Sequence, residues 1–179
     1  MKKITLGLAT IALTIASCNR GAKENKTERV FDVNVNLEND FINIENTRKQ
    51  YNAHSGEYYS SVDSIVQYGS GYLKQIDDSL KGYNLDIIVN AWVREFEAPA
   101  EGYIAISANK ADNSTKDWAG LKVKAGNFKE KEWIQLSDTF KYNADFLNDV
   151  NVFKIFALKP NGKDHLDVDD LRIKYIFYK

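Results

Sequence analysis

Tyr83-Asn84-Leu85-Asp86-Ile87-Ile88-Val89-Asn90-Ala91-Trp92-Val93-Arg94-Glu95-Phe96 is the longest clean alternation in a chain of 179 residues. Leu85, Ile87, Val89, Ala91 and Val93 fall on one face; Ile88, Asn90, Trp92, Arg94 and Phe96 fall on the other. Side chains along a strand point alternately to its two faces, so a period of two over this length predicts a half-buried β-strand. Working outward, Phe31, Val33, Val35 and Leu37 alternate in the same way, and a second short strand is expected at Phe41 to Glu45 after the Asn39-Asp40 turn signal. Further strands are expected at 57–62, 72–76, 102–108, 120–123, 133–140, 150–157 and 165–178, separated by Gly, Asn, Asp and Lys clusters. The apolar period of a helix surfaces only briefly, at 61–64 and 143–150. Pro99 and Pro160 both fall in expected loops, where a missing N–H does no harm. The pattern predicts an all-β domain, either a sandwich or a barrel.

The first residues have a different character. Lys2-Lys3 precede an apolar run from Ile4 to Ile15, and Ile15-Ala16-Ser17-Cys18 has the small-residue pattern of a cleavage site followed at once by cysteine. About twelve apolar residues are too few to cross a hydrocarbon core. The segment resembles a bacterial lipoprotein signal, which implies that residues 1–17 are removed and Cys18 is acylated. The alternative is an ordinary signal peptide with an incidental cysteine. Asn19 in second place is not the Asp-type signal for inner-membrane retention, so an outer-membrane, cell-envelope location is expected. Residues 18–29 are polar, carry no large apolar side chain and are expected to act as a tether. The folded domain is expected over 30–179.

Cys18 is the only cysteine, so no disulfide can form within the chain. The formal net charge is −1, with 24 Lys and Arg against 25 Asp and Glu, and no basic run is present. That balance disfavours nucleic acid as a partner and assigns membrane attachment to the lipid rather than to a polybasic patch.

Three segments carry a family resemblance. Ala53-His54-Ser55-Gly56-Glu57-Tyr58 resembles the entry to an early strand, Glu132-Trp133-Ile134-Gln135-Leu136-Ser137-Asp138-Thr139-Phe140 a middle strand, and His165-Leu166-Asp167-Val168-Asp169-Asp170-Leu171-Arg172-Ile173 the closing strand. In this order they are similar to carbohydrate-binding modules of the galactose-binding-domain-like group, and most of all to Bacteroidetes-type lipoproteins built from one such domain. The resemblance implies a jelly-roll β-sandwich of two antiparallel sheets. It also implies a structural Ca2+ ion near the closing strand, with Asp169 and Glu45 as ligands and carbonyls around Ser55 and Gly56 as possible contributors. By strand parity Asp169 shares the core-directed face of Leu171, Ile173, Tyr175 and Phe177. An ionised carboxylate there needs a cation, a basic side chain or several N–H donors. The competing reading is that Asp169 or Asp170 pairs with Arg172, Lys174 or Lys154, or caps a turn.

For a ligand, the face carrying Asn90, Trp92 and Arg94 offers an indole between an amide and a guanidinium, suited to stacking under a sugar ring. Packing of Trp92 under a loop is the alternative. Trp118, which follows a polar loop, could line the same face, and Trp133 is expected in the core. Tyr68-Gly69-Ser70-Gly71-Tyr72 is either a loop platform or an ordinary strand connection. His54 and His165 lack a metal-ligand spacing, and no nucleophile elbow is present. The chain is therefore expected to be a non-catalytic, lipid-anchored glycan-binding protein, or else a lipoprotein whose sandwich binds an envelope protein.

Overall fold

The computed structural model describes residues 27–35, 48–97, 101–124, 127–161 and 163–179. Among them are the strands β1 (Glu28–Asn34), β2 (Arg48–Gln50), β3 (Tyr58–Val62), β4 (Tyr68–Gln75), β5 (Asn84–Glu95), β6 (Tyr103–Asn109), β7 (Thr115–Leu121), β8 (Trp133–Tyr142), β9 (Val152–Leu158) and β10 (Leu166–Tyr178), with a short helix α1 (Ala144–Asn148). They form two antiparallel sheets. The six-stranded sheet runs β2-β3-β10-β5-β8, with β1 also paired to β10, and the four-stranded sheet runs β4-β9-β6-β7. Non-sequential neighbours such as β10 and β5 are what a jelly-roll β-sandwich requires.

The alternation that decides the fold produces β5 at the centre of the larger sheet. Leu85, Ile87, Val89, Ala91 and Val93 are all at most 1% exposed. They face the four-stranded sheet, whose inward residues include Ile104, Ile106 and Ala108 on β6 and Phe153, Ile155 and Ala157 on β9. Full burial of each large aliphatic side chain favours folding by about 1.5–3 kcal/mol, which offsets the conformational entropy lost on folding. Leu147 of α1 is fully buried and closes one end of the core. Asn143 caps this helix by accepting from the Phe146 N–H at 2.8 Å, and the Lys81 ammonium donates to the carbonyls of Leu147, Asn148 and Val150 at its other end.

Three expectations change. β1 begins at Glu28, so Glu28 and Arg29, assigned by the sequence to the tether, pair with Tyr178 and Phe177. The stretch Tyr68-Gly69-Ser70-Gly71-Tyr72 lies within β4 and contains a bulge between Tyr68 and Gly71. A Cβ at Gly69 would stand 2.6 Å from Val62 Cγ1, so the glycine lets β4 close on β3. Strand β2 is too short to have left a pattern. The strand expected at Phe41 to Glu45 lies outside the described residues.

β10 holds the largest surprise. Its pairing with β5 slips by one residue between Asp169 and Arg172, and Asp170 sits at φ 48°. Leu166 and Val168 point inward before this bulge, and Leu171, Ile173, Tyr175 and Phe177 after it. One extra residue reverses strand parity. Asp169 consequently pairs with Trp92 on the outer face and does not share the core face of Leu171 and Ile173.

Candidate functional site

The sequence-derived ligand residues divide between two surfaces. Asn90, Trp92 and Arg94 point outward from β5 on the six-stranded sheet, opposite Ser137, Gln135 and Trp133 of β8. Trp118 lies on β7, on the outer face of the other sheet, opposite Ser107. The sandwich core separates them, so they do not form one site.

On the larger sheet, Trp92 is covered. The His54 ring stacks on it with centroids 3.9 Å apart and planes 15° from parallel. Two carboxylates hold the loop that carries His54. Asp169 Oδ2 accepts from the His54 and Ser55 N–H groups at 2.8 and 3.0 Å, and Oδ1 accepts from the Asp170 N–H at 2.7 Å. Asp170 is 2.8 Å from His54 Nδ1 through one oxygen and accepts from Ser55 Oγ at 2.8 Å through the other. Arg94 is engaged too: its Nε and Nη2 donate to Asp167 Oδ2 at 2.9 and 2.7 Å, and Nη1 donates to the Asn52 carbonyl. Its guanidinium lies 4.5 Å from the Trp133 ring centroid. Trp133 is therefore not in the core, as the sequence suggested, but half-buried in this outer cluster. A stacking platform on Trp92 with Arg94 beside it is not available here.

The surroundings of Asp169 can be set against what a calcium ion needs. Three N–H groups approach its oxygens, where a calcium ion needs six to eight oxygen ligands around itself. The described residues around Asp169 do not fit such an ion. Glu45 lies outside the described residues, as does Cys18, and among the described residues no group of three His, Cys, Asp or Glu side chains could hold a metal. His165 packs against Phe96, with ring centroids 4.0 Å apart.

The four-stranded sheet presents a different outer face. Its register aligns three rows across the strands: Tyr68, Leu158 and Tyr103; Gly71, Phe156, Ala105 and Gly120; Leu73, Lys154, Ser107 and Trp118. Gly71, Ala105, Ser107 and Gly120 are small, and Ala105 and Ser107 are buried among the larger side chains around them, with Phe156 in the middle row. Tyr68 is 65% exposed and Trp118 47% exposed, although both stand on strands. Tyr103 packs edge-on to Trp118 with centroids 5.5 Å apart, and Tyr68 leans on Phe156 at 5.8 Å. A Cβ at Gly120 would meet the Tyr103 ring at 2.7 Å and the Trp118 ring at 3.1 Å, so the missing side chain allows both rings to lie across the strand. Three strand spacings of ~4.8 Å make the face ~14 Å wide. That width and lining suit an extended ligand with apolar ring faces. Sequence reasoning singled out Trp118 and weighed Tyr68. It missed Tyr103 and Phe156, which meet them only through the β4-β9-β6-β7 pairing.

No protein-family model matches the chain, and a search of curated proteins also finds no match. Solved structures with similar backbones exist. A chain of the T13 IBDV viral particle is similar at a TM-score of 0.52 and 10% identity, over 84% of this chain and 31% of that one, so this chain spans about a third of the viral one. The C-terminal family 22 carbohydrate binding module of Clostridium thermocellum aligns at a TM-score of 0.46 and 10% identity, covering 86% of this chain and 88% of the module. The xylan-binding domain from Paenibacillus barcinonensis aligns at 0.45 and 14% identity, covering 87% and 88%. At such identities the likeness to the viral chain concerns the β-sandwich fold alone.

Proposed function

We propose that this chain is a lipid-anchored, non-catalytic glycan-binding protein of the cell envelope, and that the outer face of its four-stranded sheet is the binding surface. One observation carries the reading: Tyr68 and Trp118 are 65% and 47% exposed on strands, on one outer face of the sandwich. Large aromatic side chains in a folded domain normally bury most of their surface, so two left open on one sheet face suit a ligand that stacks. Pyranose rings have apolar C–H faces that suit such rings, while Lys154 between them can meet hydroxyl groups. Acylation at Cys18 would hold the domain at the membrane, in keeping with a sequence that has no Lys/Arg run. Single-site affinity is expected to be weak, roughly 0.1–1 mM, or about −4 to −5.5 kcal/mol.

A second reading has its own observation. Ile65 is 89% exposed and Leu73 58%, both near the β4 edge, and an apolar edge is a feature of protein docking. Affinity electrophoresis of the intact domain through a panel of soluble polysaccharides separates the two. Trp118→Ala and Tyr68→Ala should each reduce retention and leave the melting temperature nearly unchanged. Trp92→Ala should lower the melting temperature, because it removes the partner of His54, and should keep retention. A wild-type protein retained by no glycan would reject the proposal in favour of a protein partner.

A further inference from the structure

The bulge in β10 builds a second concave site on the opposite side of the sandwich. Where two residues of β10 face only Ala91 of β5, a depression of about 280 Å³ opens, lined by Asn90, Ala91, Trp92, Gln135, Asp170 and Arg172. β-Bulges re-aim side chains beside functional sites, and this one holds a non-glycine residue in the left-handed region, with Asp170 at φ 48°. The polar lining is unevenly satisfied. Both oxygens of Asp170 are occupied by His54 and Ser55. Arg172, Asn90 and Gln135 have no side-chain hydrogen bond or ion pair among the described residues, and Arg172 is the lining's only cation. Two amides and a guanidinium with no partner among the described residues therefore line a cavity with an indole in its wall.

We propose that this depression binds a uronate unit of an acidic glycan, at a site separate from the aromatic face. The guanidinium fork matches a carboxylate in two parallel hydrogen bonds, which a neutral sugar cannot return. Asn90 and Gln135 can each both donate to and accept from ring hydroxyls, while Trp92, whose ring is stacked under His54, forms part of the wall. The cavity falls just below the usual range of ligand pockets, about 300–1,000 Å³, so it suits one terminal or side-branch sugar better than a continuous chain.

Calorimetric titration of the intact domain with trigalacturonate, with a neutral galactose oligomer and with acetate tests the assignment. Wild-type protein should bind the acidic oligomer more tightly than the neutral one, and added salt should weaken that binding. Arg172→Met should weaken it roughly tenfold while Trp118→Ala leaves it unchanged. Arg172 is exposed, so its replacement should not move the melting temperature. The proposal is overturned if trigalacturonate does not bind, if Arg172→Met binds it as well as wild type, or if acetate competes fully and the site reads a carboxylate without a sugar. Binding lost in Trp118→Ala but kept in Arg172→Met would also overturn it, and would instead place the acidic sugar on the four-stranded sheet.

Discussion

Glu95 continues the inward row of Leu85 to Val93, so β5 carries a carboxylate into the core, where it is 1% exposed. There Lys159 Nζ, itself fully buried, lies 2.7 Å from Glu95 Oε2 and 3.5 Å from Glu97 Oε1, and the Gly102 N–H donates to Glu95 Oε1 at 2.7 Å. Burial pushes the Glu95 carboxyl up, and the Lys159 ammonium and the Gly102 N–H pull it back. This pair pins the end of one sheet to the other, and removing one partner leaves a lone buried charge. Lys159→Met should therefore destabilise the domain by about 3–5 kcal/mol, a melting fall of roughly 10 °C. Glu95→Leu combined with Lys159→Met should recover most of the loss, because an apolar pair of similar volume leaves no orphan charge. A double variant as unstable as the single one would contradict this role. Little of the pair could be read from sequence. Glu95 and Lys159 stand 64 positions apart, and Lys159 precedes Pro160 in what reads as a loop.

Among the elements, the strands with an uninterrupted period were legible, and those with a bulge misled. β5 lies where the alternation placed it. β10 was located correctly, but its face assignment failed at Asp170, because nothing local marks Asp170 as a residue that will take positive φ. That one conformation turns Asp169 from a core residue into the anchor for the His54 loop. The turns between strands are built around carboxylates with a shared chemistry. Asp63 is held below the ordinary 3.8 by N–H bonds from Val66 and Ile65, Asp77 by Ser79, Asp112 by Ser114, and Asp149 by the Lys116 ammonium. A carboxyl whose pKa is lower in the folded state supports the fold above its unfolded pKa, and that support is lost as pH falls through the folded value. Stability should therefore hold down to about pH 4 and decline below it. Carboxyl-carbon NMR titration of these four residues should give midpoints below 3.8, the ordinary value. Midpoints at or above it would show that the turns do not hold their carboxylates in solution.

At the scale of the whole molecule, two sheets bury one core and present two outer faces of different chemistry. The six-stranded sheet has an outer face of interlocked side chains: His54 on Trp92, Arg94 on Asp167, and two aspartates on a loop. The four-stranded sheet leaves its rings open. An all-β fold followed from strand patterns, but which outward residues share a face depends on sheet order, and β4-β9-β6-β7 unites residues far apart in sequence. This is why Trp118 could be singled out and its neighbours Tyr103 and Phe156 could not. The protein's three tryptophans, Trp92, Trp118 and Trp133, report on both faces at once. With 5-fluorotryptophan incorporated, each gives its own fluorine resonance, assigned by single substitution to Phe. On titration with a neutral polysaccharide fragment that the protein retains, the Trp118 resonance should move with saturation while those of Trp92 and Trp133 stay in place. Movement of Trp92 or Trp133 with Trp118 unchanged would contradict the assignment of glycan binding to the four-stranded sheet.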